Sequence, residues 1–174
     1  MPREGQTGVV VLVPPADAVL TAVAQQYPEA VRDGVPAHVS LLYPFVPADE
    51  LDENVLGALS ELLAQSGPMT VTLDEVQRQD DFVALRPNPI TGLRELSAAV
   101  QRRWPDVVPY DGRFGDVDPH VTVALHTTAE RARAIAEQIV PPLLPIAAEL
   151  RDVWLVAYSG GRWTVRQKFA LGLG

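Results

Sequence analysis

Twice in this chain a histidine opens a short run that alternates apolar and hydroxyl side chains, first as His38-Val39-Ser40-Leu41 and later as His120-Val121-Thr122-Val123. Side chains of a strand point alternately to its two faces, so each run places an imidazole and a hydroxyl together and turns its two apolar residues the other way. The apolar pair is expected to pack beneath helices, which holds the polar pair on a rigid sheet rather than on a mobile loop.

The elements around the two runs repeat in order. Val9 to Val13 reads as a buried strand closed by Pro14-Pro15, and Asp17 to Ala30 as a helix with Val19, Leu20, Val23 and Ala24 on one stripe, followed by a turn at Asp33-Gly34. His38 to Tyr43 is the first histidine strand, and Asp49 to Gln65 a second helix stopped by Gly67-Pro68. Met69 to Val76 and Asp81 to Arg86 read as a hairpin with a polar turn at Gln77 to Asp80. A helix from Thr91 to Trp104 comes next, then an irregular loop from Pro105 to Pro119 and the second histidine strand, His120 to Leu125. Thr128 is placed to cap a fourth helix ending at Val140, and strands at Leu143 to Leu150, Val153 to Tyr158 and Trp163 to Leu171 close the chain, the last two joined at Gly160-Gly161. Each half therefore runs strand, helix, histidine strand, helix, strand. This predicts an α/β (α+β) duplicated sheet-and-helix fold in which a pseudo-twofold axis brings the two histidines face to face.

Composition narrows the function. At 174 residues, 47% apolar and 21% charged, the chain fits one globular domain spanning 1–174. It has no cysteine, which removes disulfides, thiolate metal sites and cysteine nucleophiles. A net charge of −8 repels long polyanions, so duplex DNA is not an expected partner, while a small nucleotide or an RNA terminus is. The apolar run Val9 to Val13 is far shorter than a membrane span or the core of a signal peptide, so a cytoplasmic protein without membrane partners is expected, and a monomer.

Two imidazoles facing one gap suit a reaction that needs a base and an acid together, because an ordinary histidine pKa of ~6.5 lets one ring be neutral while the other is charged. Phosphodiester cleavage is such a reaction, with His38 and His120 exchanging protons and the Ser40 and Thr122 hydroxyls holding phosphoryl oxygens. No metal or other cofactor is expected, since two histidines without a third ligand at suitable spacing make a poor metal site.

The paired tetrads, in a chain of this length, resemble those of the two-histidine phosphoesterase superfamily, which includes 2′-5′ RNA ligase-like proteins and cyclic nucleotide phosphodiesterases. The stretch Pro36 to Phe45 and the closing Trp163 to Leu173 are most similar to the bacterial 2′-5′ RNA ligase-like branch. The resemblance implies a two-lobed α/β fold with a central cleft, catalytic roles for His38 and His120, and phosphate-positioning roles for Ser40 and Thr122. It also implies metal-independent chemistry on 2′-5′ linkages or 2′,3′-cyclic phosphates, with nothing in these residues selecting joining over hydrolysis. A module that binds a nucleotide or phosphorylated end in the same cleft without catalysis is the rival reading. A domain that docks a partner protein would instead need a large exposed apolar patch.

Other residues are weighed against plainer roles. Tyr43 and Phe45 are candidates to stack a nucleobase, though aromatics after a strand are more often core. Arg162, Thr164, Arg166 and Lys168 share one parity of the last strand, opposite Trp163, Val165 and Phe169; this predicts a basic face, read first as a solvated sheet face, with contact from Arg166 or a neighbour to phosphate as the alternative. Arg113, in the loop before His120, is a similar candidate. Asp111, Asp116 and Asp118 in that loop are read as turn formers, and His126 as a surface residue.

Overall fold

The computed structural model describes residues 2–32, 34–109 and 117–172. Strand β1 (Thr7–Leu12) leads to helix α1 (Asp17–Gln26), and strand β2 (His38–Leu42) to helix α2 (Glu53–Ala64) and the hairpin of β3 (Met69–Gln79) and β4 (Phe82–Asn88). Helix α3 (Thr91–Arg103), strand β5 (Val121–Ala124) and helix α4 (Ala129–Ala134) follow, then strands β6 (Ile146–Leu150), β7 (Asp152–Ser159) and β8 (Arg162–Ala170).

The element ends have local causes. Helix α1 stops short of its expected end because Pro28 cannot continue it, and Pro28–Ala30 forms a 3-10 turn instead. Helix α2 begins later than the apolar spacing suggests, where the Asp52 carboxylate accepts the Val55 N–H at 2.9 Å. Thr128 does cap α4, its hydroxyl accepting the Arg131 N–H at 3.2 Å. The polar residues Gln77 to Gln79, expected in a turn, extend β3, and the reversal falls on Asp80-Asp81. Polarity there reflects strand exposure, which sequence alone does not separate from a turn.

All strands join one antiparallel sheet in the order β6-β3-β4-β5-β2-β1-β7-β8. The two histidine strands are neighbours at its centre, with three strands on either side. The sheet halves are not the chain halves: β3, from the first half of the chain, lies beside β4 on the β5 side, while β7 and β8 lie beside β1 on the β2 side. This exchange ties the two repeats into one sheet.

The helices cover one face. Val9, Val11, Val39, Leu41, Val83, Leu85, Val121 and Val123 share a single core with the buried residues of α1 to α4. The opposite face carries a smaller cluster, with Val10, Leu12, Val35, Val156 and Trp163 at its centre and no helical member. The side chains that alternate with the core residues of β2 and β5 therefore emerge on a face that no helix covers.

Candidate active site

The two central strands meet with Val39 opposite Val121. Extending that antiparallel register by one residue each way sets His38 opposite Thr122 and Ser40 opposite His120. Directly opposite side chains are roughly 5 Å apart and diagonal ones roughly 7–8 Å, so the two imidazoles stand at opposite corners of a four-residue patch with a hydroxyl at each remaining corner. All four side chains are partly exposed, whereas Val39 and Val121 beneath them are 0% exposed.

The repeat extends to the irregularities of the ladder. Val9 and Val10 face Leu42 and Ser40, leaving Leu41 as an extra residue on β2. In the same way Val83 and Ala84 face Ala124 and Thr122, leaving Val123 as an extra residue on β5. The fourth residue of each tetrad is thus a β-bulge, which bends the strand just past its histidine and hydroxyl and ends the regular pairing there. On β2 the backbone at the bulge is held by Ser97 of α3, whose hydroxyl donates to the Leu41 carbonyl at 2.6 Å. At the strand's start the Asp17 carboxylate accepts the Ala37 N–H at 2.8 Å, anchoring the residue before His38.

Each imidazole is oriented in the same way. The Nδ1 of His38 lies 2.8 Å from the Pro36 carbonyl, and the Nδ1 of His120 lies 2.8 Å from the Asp118 carbonyl. A carbonyl only accepts, so Nδ1 carries the hydrogen in both rings. This leaves Nε2 of each ring as the atom that takes up or gives a proton.

Their surroundings differ. Burial pushes the His38 pKa down to about 4, opposed by the bond to Pro36 and reinforced by the positive charges of Arg32 and His120. Burial also lowers the His120 pKa, and Arg32 adds to the effect, but the Asp118 carbonyl bond and carboxylate charge pull it back up. Asp118 is itself held ionised by Arg94, which donates to both its oxygens at 2.9 and 2.8 Å, and by Arg86 at 3.3 Å. The Phe82 ring meets His120 edge-on, with centroids 5.6 Å apart. Around His38 the cross-strand neighbour is Leu12, and Val35 and Pro36 line the hollow it shares with Arg32 and Thr122.

The structure thus brings together His38, Ser40, His120 and Thr122, and adds Arg32 and Phe82, neither of which the sequence singled out. Arg32 carried no periodic signal, being one basic residue before a turn; Phe82 looks like any strand aromatic until the fold brings its ring edge-on to His120. Phe45 is removed as a stacking candidate: it is 3% exposed and packs edge-on against Trp104 in the helix-side core, at 4.9 Å. Tyr43 reaches the helix-free face, where its hydroxyl donates to the Gln6 side chain at 3.1 Å and its ring meets Trp163 at 5.7 Å.

The expected basic face of β8 is not continuous. Leu155 faces Gln167 while Val156 faces Val165, so Arg166 is a bulge residue and the side-chain parity reverses across it. Trp163 accordingly joins the helix-free cluster and Phe169 the helix-side core. Lys168 falls in register with Trp154, its ammonium 5.2 Å from that ring, whereas Arg166 and Thr164 line a separate hollow with Glu4 and Asp49 that contains neither histidine. Arg113, Asp111 and Asp116 lie outside the described residues. Asp118 serves as an ion-pair partner, and among the described residues no group of three or more His, Cys, Asp or Glu is placed to hold a metal. His126 is exposed, with a left-handed backbone at φ 53°. No helix among the described residues is long and apolar enough to cross a membrane.

Comparison with known proteins identifies the fold and the family. The crystal structure of Escherichia coli LigT complexed with 3′-AMP superposes with a TM-score of 0.59 at 19% identity, covering 98% of this chain and all (100%) of that one. LigT complexed with phosphate gives 0.58 at 18% identity, over 99% of this chain and 100% of that chain. The Thermus thermophilus protein TT0787 gives 0.66 at 20% identity, over 97% of this chain and 100% of its own length. None of the curated proteins compared with the chain matches it. The sequence model of the 2′-5′ RNA ligase superfamily matches residues 12–162, a span that includes both histidine strands, and the chain belongs to that superfamily.

Proposed function

We propose that this protein is a metal-independent phosphodiesterase that opens 2′,3′-cyclic phosphates or cleaves 2′-5′ phosphodiester bonds in small nucleotides or at RNA ends. The observation that carries the reading is the pair of imidazoles, each fixed through Nδ1 to a backbone carbonyl and each paired across the strands with a hydroxyl. Binding a phosphate does not require two proton-exchanging nitrogens, whereas displacement at phosphorus by concerted general acid–base catalysis uses both. The complexes of LigT with 3′-AMP and with phosphate lend support from a protein of the same fold.

In this reading the phosphate sits over the four-residue patch, with Ser40 and Thr122 donating to its non-bridging oxygens and the Arg32 charge favouring the anion. His38 is the base. Its apolar setting keeps Nε2 unprotonated, and it takes a proton from water as the water oxygen bonds to phosphorus. His120 is the acid, because the Asp118 charge favours its protonated form. It gives its Nε2 proton to the ribose oxygen as the bond from phosphorus to that oxygen breaks. One P–O bond forms and one breaks, the proton from water ends on His38, and exchange with solvent restores both rings. In this reading the protein acts in the cytoplasm, as a monomer.

The test is hydrolysis of nucleoside 2′,3′-cyclic phosphates and 2′-5′ dinucleotides in the presence of a chelator, with the product phosphate position determined. Turnover that survives the chelator and vanishes in both His38→Ala and His120→Ala is expected. Tight nucleotide binding with no turnover of any of these substrates would leave a binding module instead.

A further inference from the structure

We propose that Phe82 is the stacking surface for the substrate's nucleobase, with the Gln77 amide beside it, so that the base lies on the β5-β4-β3 side of the histidine pair. The inference rests on the proposed phosphoesterase site and adds the direction in which the rest of the substrate leaves it.

Phe82 starts β4 and alternates with the helix-facing Val83 and Leu85, which places its ring on the helix-free face. The ring is partly exposed and stands edge-on to His120, at an interplanar angle of 80°. Two rings from different rows of the sheet meet there because the residue between them on that face is Ala84. Thr122 faces Ala84, and Ala84 faces Gln77, so these three form one row across the sheet. At roughly 4.8 Å per strand, Gln77 is about 10 Å from Thr122, a distance that a nucleoside attached to a phosphate at Thr122 reaches across. Gln77 is partly exposed and offers both a donor and an acceptor to a base edge.

The other side of the pair is filled. The bulged registers make Gly8 the counterpart of Phe82 and Val10 the counterpart of Ala84. Against Gly8 lies the Tyr43 ring, with its nearest carbon 3.6 Å from where a Cβ would stand, and Val10 is 3% exposed beneath the cluster of Val35 and Trp163. A base directed to that side would have to displace packed apolar groups. On the Phe82 side the counterpart of Val10, Ala84, is buried as well, but Phe82 and Gln77 on either side of it are both partly exposed.

The experiment is calorimetric titration of adenosine 3′-monophosphate and of inorganic phosphate into the wild type and into Phe82→Ala, Phe82→Leu and Phe82→Trp, with thermal melts to verify folding. Loss of one base-to-ring stack predicts about a tenfold weaker nucleotide Kd in the Ala and Leu variants, with Trp retaining it and phosphate binding the same in all four proteins. Equal weakening of nucleotide and phosphate would overturn the proposal, because Phe82 would then act only through His120. An unchanged nucleotide Kd in Phe82→Ala, or a wild type that binds the nucleotide no better than phosphate, would overturn it too. These readouts do not depend on turnover, so a protein that binds through Phe82 yet hydrolyses nothing would refute the catalytic reading and keep this one.

Discussion

The two sides of the helix-free face start from the same tetrad, the same imidazole-to-carbonyl bond and the same bulge, and yet they hold their histidines differently. On the β2 side, His38 has Leu12 as its cross-strand neighbour and shares a hollow with Val35 and Pro36, and burial lowers its pKa to about 4. On the β5 side, His120 has Asp118, Arg94, Arg86 and the edge of Phe82 around it, and the carboxylate offsets part of the loss caused by burial. Local geometry is therefore shared and electrostatic setting is not. A symmetric scaffold becomes an acid–base pair only when its two copies are solvated unequally.

The strongest way to break this comparison is to remove each ring in turn. His38→Ala and His120→Ala are each expected to cost at least about 10²–10⁴-fold in turnover of a 2′,3′-cyclic nucleotide, with circular dichroism unchanged. A wild-type rate in either variant would show that the two sides do not act as a pair.

Acid stability sharpens it next. The unfolded chain binds a proton at His38 near pH 6.5 and the folded one only near 4, so this group's contribution is present above the unfolded value and is lost as pH falls toward the folded one. The loss is of order 3 kcal/mol. Urea unfolding at pH 7.5 and pH 4 should show a drop in stability that is smaller in His38→Asn than in wild type by about that amount. Replacing His120 should change the pH slope less.

The pH–rate profile then separates two charges. With His38 required neutral and His120 required protonated, kcat/KM of the free enzyme should rise through about pH 4 and fall again at a pH below the ordinary imidazole range. Arg32 depresses both rings, so Arg32→Gln should move both limbs of the bell to higher pH and raise KM about tenfold. Asp118 supports only His120, so Asp118→Asn should move the alkaline limb alone, to lower pH, with a few-fold change at the optimum. An Asp118→Asn profile displaced on both limbs would mean that the two rings do not titrate in separate environments.

The histidines and hydroxyls were legible because strand alternation is a local rule: once each tetrad was read as a strand, their common face followed. The capping of α4 by Thr128 was legible for the same reason, since a cap bonds within its own turn. The β8 face was misread because a single bulge at Arg166 reverses parity, and no local residue type marked it. Phe45 was legible as core by the general tendency of aromatics after a strand, but its partner was not, since Trp104 lies at the far end of α3.

What the sequence determined by itself was the pair of amphipathic histidine strands and their equivalent places in a repeated order, because periodicity and chain breakers act over a few residues. What only the tertiary structure decided was the register that sets each histidine across from the other strand's hydroxyl, the exchange of β3 and β7 between the sheet halves, and the unequal solvation of the two rings. Those depend on residues brought together from distant parts of the chain, such as Arg32 near His120 or Arg94 on Asp118, and long-range packing leaves no periodic trace in the residues that take part.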